Sequence, residues 1–286
     1  MISFCFCESN NINSPVQDEF NTEDRILTHN NLEREYTIII PESYSQESSI
    51  PLMINFHGFG DVINTYMNNA DMRELANSKK FLLVYPQGSS LEGSPHWNPC
   101  PVGNENKSSA DDLGFISTMI SEISLEYNID YDRIYATGYS NGGMMAYGLA
   151  HFKSDLITAI ASVSGAMLDC IDSDVHPMPI LHLHGTNDEI IPYNGNSYYS
   201  SVQHTLDYWI EINNTSTIPS LETDESGNIT VEHYVYNNGE SSMSVEHYKY
   251  LGGGHVWFET PFKGEMTSEL IWNFVSQFEN SDVRTH

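Results

Sequence analysis

Basic residues are scarce in this chain: 11 Lys and Arg stand against 39 Asp and Glu, a formal net charge of −28 with a pI near 4.4. Such a surface repels nucleic acid and anionic membranes, which argues against a polyanion partner. The acids are dispersed rather than gathered in one tail, so the charge reads as a solubility device more than as a site for cationic ligands. Long apolar runs are missing too, and no segment is long enough to span a bilayer. Four cysteines are too few for a disulfide scaffold. Cys, His, Asp and Glu do not cluster at zinc spacing, and neither a glycine-rich phosphate loop nor a dinucleotide fingerprint occurs. The sequence therefore points to chemistry without metal or cofactor.

What is present is a chain of 286 residues, 40% hydrophobic and 12% aromatic, enough to bury a substantial core. Residues 1–30 read as a flexible N-terminal segment in which MISFCFC gives way to a polar stretch. Two readings stay open there: the tail of a signal peptide with Cys7 as a lipidated cysteine, or a plain disordered start. The first makes the protein exported, as a periplasmic, secreted or lipid-anchored form; the second leaves a cytoplasmic location open. Cys100 and Cys170 fall in loops and would pair only if the protein is exported and the loops meet.

Residues 31–286 read as one α/β domain. Apolar, strand-like runs at 36–40, 52–56, 81–85, 133–137, 159–163 and 180–184 alternate with helical periodicity at about 68–78, 112–127, 141–152, 197–213 and 264–278. That order implies a mostly parallel central sheet with helices on both faces. ITVEHYVY and MSVEHYKYL flank Asn237-Asn238-Gly239 and read as a strand pair. Residues 86–110 form a long polar loop of the kind that often carries function. Asp111-Asp112 reads as a helix N-terminal cap.

Within this frame IYATGYSNGG, residues 134–143, has the form of a nucleophile elbow: strand, sharp turn bearing Ser140, helix. A serine hydroxyl needs a base, usually histidine, oriented by a carboxylate. In parallel sheets functional groups gather at the carboxyl ends of strands. ILHLHGTNDEIIP places Asp188 just past such an end, with Glu189 as its neighbour and competitor. YKYLGGGHVWFE places His255 after three glycines that let the loop bend toward Ser140. His182 and His184, within or ending a strand, read as packing or supporting residues. The amide of Asn141, next to the nucleophile, and that of Phe59, after His57-Gly58, are the candidate oxyanion donors.

The segments HGFG, WNPC, ADDLGF, GYSNGGMMAY, HGTNDEIIPY and GGGHVWFE occur in the order seen in the polyhydroxybutyrate-depolymerase-like and feruloyl-esterase-like α/β-hydrolases, and residues 34–278 resemble that group. The resemblance implies an α/β-hydrolase fold and a serine carboxylesterase with Ser140 as nucleophile, Asp188 as acid and His255 as base. Members act on hydroxy-acid esters, on feruloyl or acetyl groups of plant polysaccharides, or on small synthetic esters. It also places the 86–110 loop over the pocket and makes Trp97, Trp257 and Tyr139 candidate substrate-binding residues. Two departures put the substrate in doubt: Val256 and Phe258 flank Trp257 where relatives often read GGGHTWP, and HGFGD replaces the cysteine-containing form of typical depolymerases.

Only a short stretch separates the strand ending near residue 164 from that starting near 179, too short for the lid domain many lipases insert there. The expectation is an open cleft, a small-molecule ester as partner and a preference for short acyl or small aryl groups. A hydroxyalkanoate-oligomer depolymerase, a feruloyl or acetyl esterase on polysaccharide, a peptidase and a catalytically silent binding protein are the alternatives. Oligomeric state is not legible.

Overall fold

The computed structural model describes residues 20–103, 106–170, 175–239 and 243–280. In chain order its strands are β1 (Asn21–His29), β2 (Leu32–Ile40), β3 (Ile50–Phe56), β4 (Leu82–Pro86), β5 (Ser89–Leu91), β6 (Ser94–His96), β7 (Ile129–Tyr139), β8 (Ala159–Val163), β9 (Ile180–Gly185), β10 (Ser220–Ser226), β11 (Ile229–Tyr236) and β12 (Val245–Tyr250). The helices are α1 (Ile63–Asn69), α2 (Arg73–Lys79), α3 (Asp112–Glu126), α4 (Asn141–Phe152), α5 (Val202–Ile212) and α6 (Thr267–Val275).

Ten strands form one sheet in the order β1-β2-β4-β3-β7-β8-β9-β12-β11-β10. The six central strands, β4 to β12 in that order, run parallel, and antiparallel strands extend both ends. Period-two alternation sorts side chains to two layers. Ile54, Ala136, Ile160 and Ile180 face α3, α4 and α5, whereas Met53, Tyr135, Ala161 and Leu181 face α1, α2 and α6. The mostly parallel sheet with helices on both faces is thus the one the alternating runs implied.

Three boundaries differ from the sequence expectation. Residues 21–29, assigned above to a flexible leader, form β1, paired along its whole length with β2. Only Leu27 of that strand is buried, so its polar sequence carries little strand signal. Residues 1–19, including Cys7, lie outside the described residues. The helix expected at 68–78 is instead two short helices, because the Ala70 carbonyl is taken by the Tyr85 hydroxyl at 2.8 Å and so leaves the helical ladder. Helix α5 starts at 202 rather than 197, where Ser201 caps it by accepting from the His204 amide. Within the long loop, β5 and β6 form a hairpin turned by Glu92 and Gly93, both at positive φ.

Candidate active site

Strand β7 meets α4 at Ser140, which has φ +55° and ψ −118° and so sits in a strained turn. The turn fits only because its glycines lack side chains: a Cβ on Gly142 would collide with the Phe56 carbonyl. The Ser140 amide donates to the Val163 carbonyl of β8 at 2.8 Å, which fixes the turn to the next strand.

Asp188 lies on the loop after β9, with a fully buried side chain. Its Oδ1 accepts from the amides of Ile190 at 2.9 Å and Ile191 at 2.8 Å. His255, on the loop after β12, brings Nδ1 to Asp188 Oδ2 at 2.7 Å and Nε2 to Ser140 Oγ at 2.8 Å. Burial pushes the Asp188 carboxyl up, but hydrogen bonds from His184 and His255, with the Ile191 amide behind them, hold it well below the usual carboxylate range. A hydrogen-bonded line therefore runs from a hydroxyl through an imidazole to an ionised carboxylate. Glu189 is exposed and takes no part in it.

The loop bearing His255 is tied down from three sides. Tyr139 Oη donates to the His255 carbonyl at 2.8 Å, and Ser164 Oγ donates to that of Val256 at 3.2 Å. The Asn187 amide donates to the Gly253 carbonyl at 2.8 Å, and a Cβ on Gly185 would strike the same carbonyl. The loops bearing Asp188 and His255 thus meet backbone to backbone.

The long 86–110 loop is anchored just as firmly. Asn141 holds the Trp97 backbone, and the Trp97 indole N–H donates to the His57 carbonyl at 3.0 Å. His57 donates from Nδ1 to the Gly58 carbonyl at 2.6 Å; its bare Nε2 accepts from Gly88 and Gln87. Burial pulls His57 down to about 4, so it stays neutral and shapes the turn that carries Phe59. Asp111 caps α3 by accepting from the Gly114 amide. Asp112 does something else: buried, it pairs with Arg34 at 2.6 Å and accepts from both Asn98 nitrogens. A disulfide joins Cys100 to Cys170 across 5.8 Å between Cα atoms, linking this loop to the segment after β8.

A cavity of about 880 Å³ opens at Ser140, with Phe59, Asn141 and Trp97 among its lining residues. Trp97 contributes from a fully buried position, wedged against Phe56 and His57, so it is floor and scaffold. Two candidate substrate-binding residues lie elsewhere. The Tyr139 ring lies tilted against His255, with centroids 5.0 Å apart, and its hydroxyl holds the loop; Trp257 lines a different groove of about 680 Å³ beside Leu75 and Met266. Residue order places them near the base, but side-chain direction turns them away from the cavity. The walls that sequence reasoning missed are Met144, Met167, Leu168, Ile191, Tyr198 and Tyr199. Only the adjacent tyrosines after Asn194-Gly195-Asn196 offered a signal, as aromatics in an otherwise polar turn.

The sequence matches a known family. Residues 40–217 fit the model of the phospholipase/carboxylesterase family of α/β-hydrolases. The chain belongs to that family. It is 28% identical over 245 residues to the bifunctional acetylxylan esterase/xylanase of Neocallimastix patriciarum, covering 86% of the chain and 33% of that protein. It is 25% identical to feruloyl esterase B of Piromyces equi, covering 86% and 45% respectively. The chain thus spans less than half the length of both curated relatives. An acetyl xylan esterase from Aspergillus awamori superimposes with a TM-score of 0.64 at 15% identity, over 89% of this chain and 99% of that one; this likeness shows the fold. Among the described residues, no helix is long and apolar enough to cross a membrane and no group of His, Cys, Asp and Glu is arranged to hold a metal ion.

Proposed function

We propose that Ser140, His255 and Asp188 hydrolyse short-chain or small aryl esters through an acyl-enzyme. The observation that carries this reading is the line of hydrogen bonds from Ser140 Oγ through His255 to Asp188 at the edge of the cavity. His255 Nε2 takes the serine proton as Oγ bonds to the ester carbonyl carbon. The oxyanion is received by the amides of Asn141 and Phe59. The Asn141 amide opens α4, has no partner within the helix by position, and carries the positive end of the helix dipole behind it. Collapse breaks the bond to the alcohol, which leaves with the proton from His255. Water, deprotonated by His255, then attacks the acyl carbon and frees the acid. Asp188 stays ionised and stabilises the imidazolium.

The apolar walls of Met144, Met167, Leu168 and Ile191 suit a short acyl chain or one aryl ring. A second reading, esters carried on plant polysaccharide, is favoured by the rim. Tyr198 is 84% exposed and Phe59 50% exposed, two flat apolar faces on which a sugar or aryl ring can stack. The names of the relatives point the same way. The Cys100–Cys170 disulfide supports export to an oxidising compartment.

Ser140→Ala should lose essentially all turnover of 4-nitrophenyl acetate while folding normally, and an organophosphonate should label Ser140 alone. Turnover retained by that variant would refute the assignment. Acetyl, butyryl, feruloyl and hydroxybutyryl esters, compared per labelled site, rank the substrates, with a matched anilide as the peptidase control. A clear preference for long-chain esters would sink the short-acyl reading.

A further inference from the structure

Asp188 Oδ2 meets a second histidine besides His255: His184 Nε2 lies 3.3 Å away. His182 and His184 are two residues apart on β9, so both project from one face of the strand, and both are buried. His184 Nε2 also lies 2.8 Å from the Ile191 carbonyl, which can only accept, so that nitrogen carries the hydrogen. In a neutral ring Nδ1 is then bare and accepts from His182 Nε2 at 3.1 Å. His182 Nδ1 is bare in turn and accepts from the Tyr147 hydroxyl at 2.8 Å. Every proton in the row is assigned by its neighbour, and the last donor, His184 Nε2–H, bonds the Ile191 carbonyl at 2.8 Å with Asp188 Oδ2 beside it at 3.3 Å.

We propose that Tyr147, His182 and His184 form a one-directional hydrogen-bond chain that positions the Asp188 carboxylate, with His184 as the positioning residue. The proposal rests on the reading of Ser140, His255 and Asp188 given above. Its physical content is orientation. The Ile190 and Ile191 amides occupy Oδ1, and His184 Nε2–H ties the Ile191 carbonyl of the same turn at 2.8 Å while standing 3.3 Å from Oδ2, which accepts His255 Nδ1 at 2.7 Å. A histidine free to change tautomer would present a lone pair to Asp188 and repel it. The chain prevents this, because reversing His184 requires reversing His182 against the Tyr147 hydroxyl. Burial, reinforced by His184 and His247 nearby, holds His182 well below the usual histidine range and therefore neutral. His247 adds a side support, with Nδ1–H on the His182 carbonyl at 2.9 Å and Nε2 accepting from Tyr193 at 2.9 Å. Tyr147, His182 and His184 are all buried, so they act through Asp188 and not on substrate.

The test uses the full chain, 4-nitrophenyl acetate as substrate and organophosphonate titration to count competent sites. His184→Leu removes the donor, and kcat per titrated site should fall by about 10- to 100-fold with KM within about twofold. His184→Gln keeps an N–H within reach of Oδ2 and should recover kcat to within about fivefold of the parent. Tyr147→Phe removes one oxygen remote from substrate and should lower kcat by about two- to fivefold at constant KM. With one donor fewer on the carboxylate, the far-downfield proton resonance of His255 Nδ1–H should move further downfield in His184→Leu. Unchanged kcat per site in His184→Leu overturns the proposal, as does an equal loss in His184→Gln. Should neither His184 variant fold, an unchanged kcat and proton spectrum in Tyr147→Phe overturns it. Activity surviving Ser140→Ala would instead overturn the triad reading.

Discussion

Asn141 holds Trp97 by both backbone groups: its Oδ1 accepts the Trp97 amide at 2.7 Å, and its Nδ2 donates to the Trp97 carbonyl at 3.1 Å. The residue after the nucleophile thus fixes the cavity floor with its side chain while its own amide faces the position proposed for the oxyanion. The two jobs use different atoms and can be separated by substitution.

Asn141→Ala keeps the backbone amide but leaves both Trp97 backbone groups buried without partners, at about 1–3 kcal/mol each. The expected outcome is a fall in unfolding free energy of roughly 2–6 kcal/mol and a rise in KM, since the floor loosens while both proposed oxyanion amides remain. Urea unfolding and Michaelis kinetics on the same preparation check it; an unchanged unfolding midpoint would remove this account of Asn141.

Three buried histidines make stability depend on pH. Burial pulls His57 to about 4 and His247 to about 3, and holds His182 well below its ordinary value. In the unfolded chain each returns to about 6.5. Between those limits the unfolded chain binds protons that the folded chain refuses. Stability is therefore full above about pH 6.5 and drops as pH falls toward 4, by up to about 1.4 kcal/mol per pH unit for each histidine. Denaturant unfolding from pH 7.5 to 4.5 should show this slope, and a flat profile would contradict it.

The Cys100–Cys170 bridge closes a loop of 70 residues and ties two cavity walls together. Replacing both cysteines by serine should lower stability by roughly 2–4 kcal/mol. It should also raise KM more than it lowers kcat, because the walls bind the ester and Ser140, His255 and Asp188 are held independently. Thermal melts and kinetics with and without reductant measure both effects; a kcat loss at constant KM would show that the bridge supports the chemistry instead.

Much of this was legible because the elbow and the two loops obey local rules. A turn as tight as the one at Ser140 demands glycine, and parallel strands deliver their loops to one edge, where Asp188 and His255 stand. What was not legible depends on neighbours distant in sequence. Strands β1 and β10 are mostly exposed, so NTEDRILTH and SLETDES show no buried alternation. The break between α1 and α2 is imposed by Tyr85 from β4. Asp112 looked like a cap because its partners, Arg34 and Asn98, come from elsewhere in the chain. Tyr139 and Trp257 adjoin the reacting residues in sequence, yet their rings serve the base loop and a separate groove.

The backbone contact of Gly185 and Asn187 with Gly253 makes the acid and base loops one rigid body. On that side, variation that shifts one loop must shift the other, and substrate range has little room to drift. The opposite wall is different in kind. Lys107, Leu168 and Tyr198 line the cavity, and among the described residues their side chains make no hydrogen bond to Ser140, His255 or Asp188. New specificities in this scaffold should therefore arise on that wall, leaving the chemical half of the site unaltered as the ester changes.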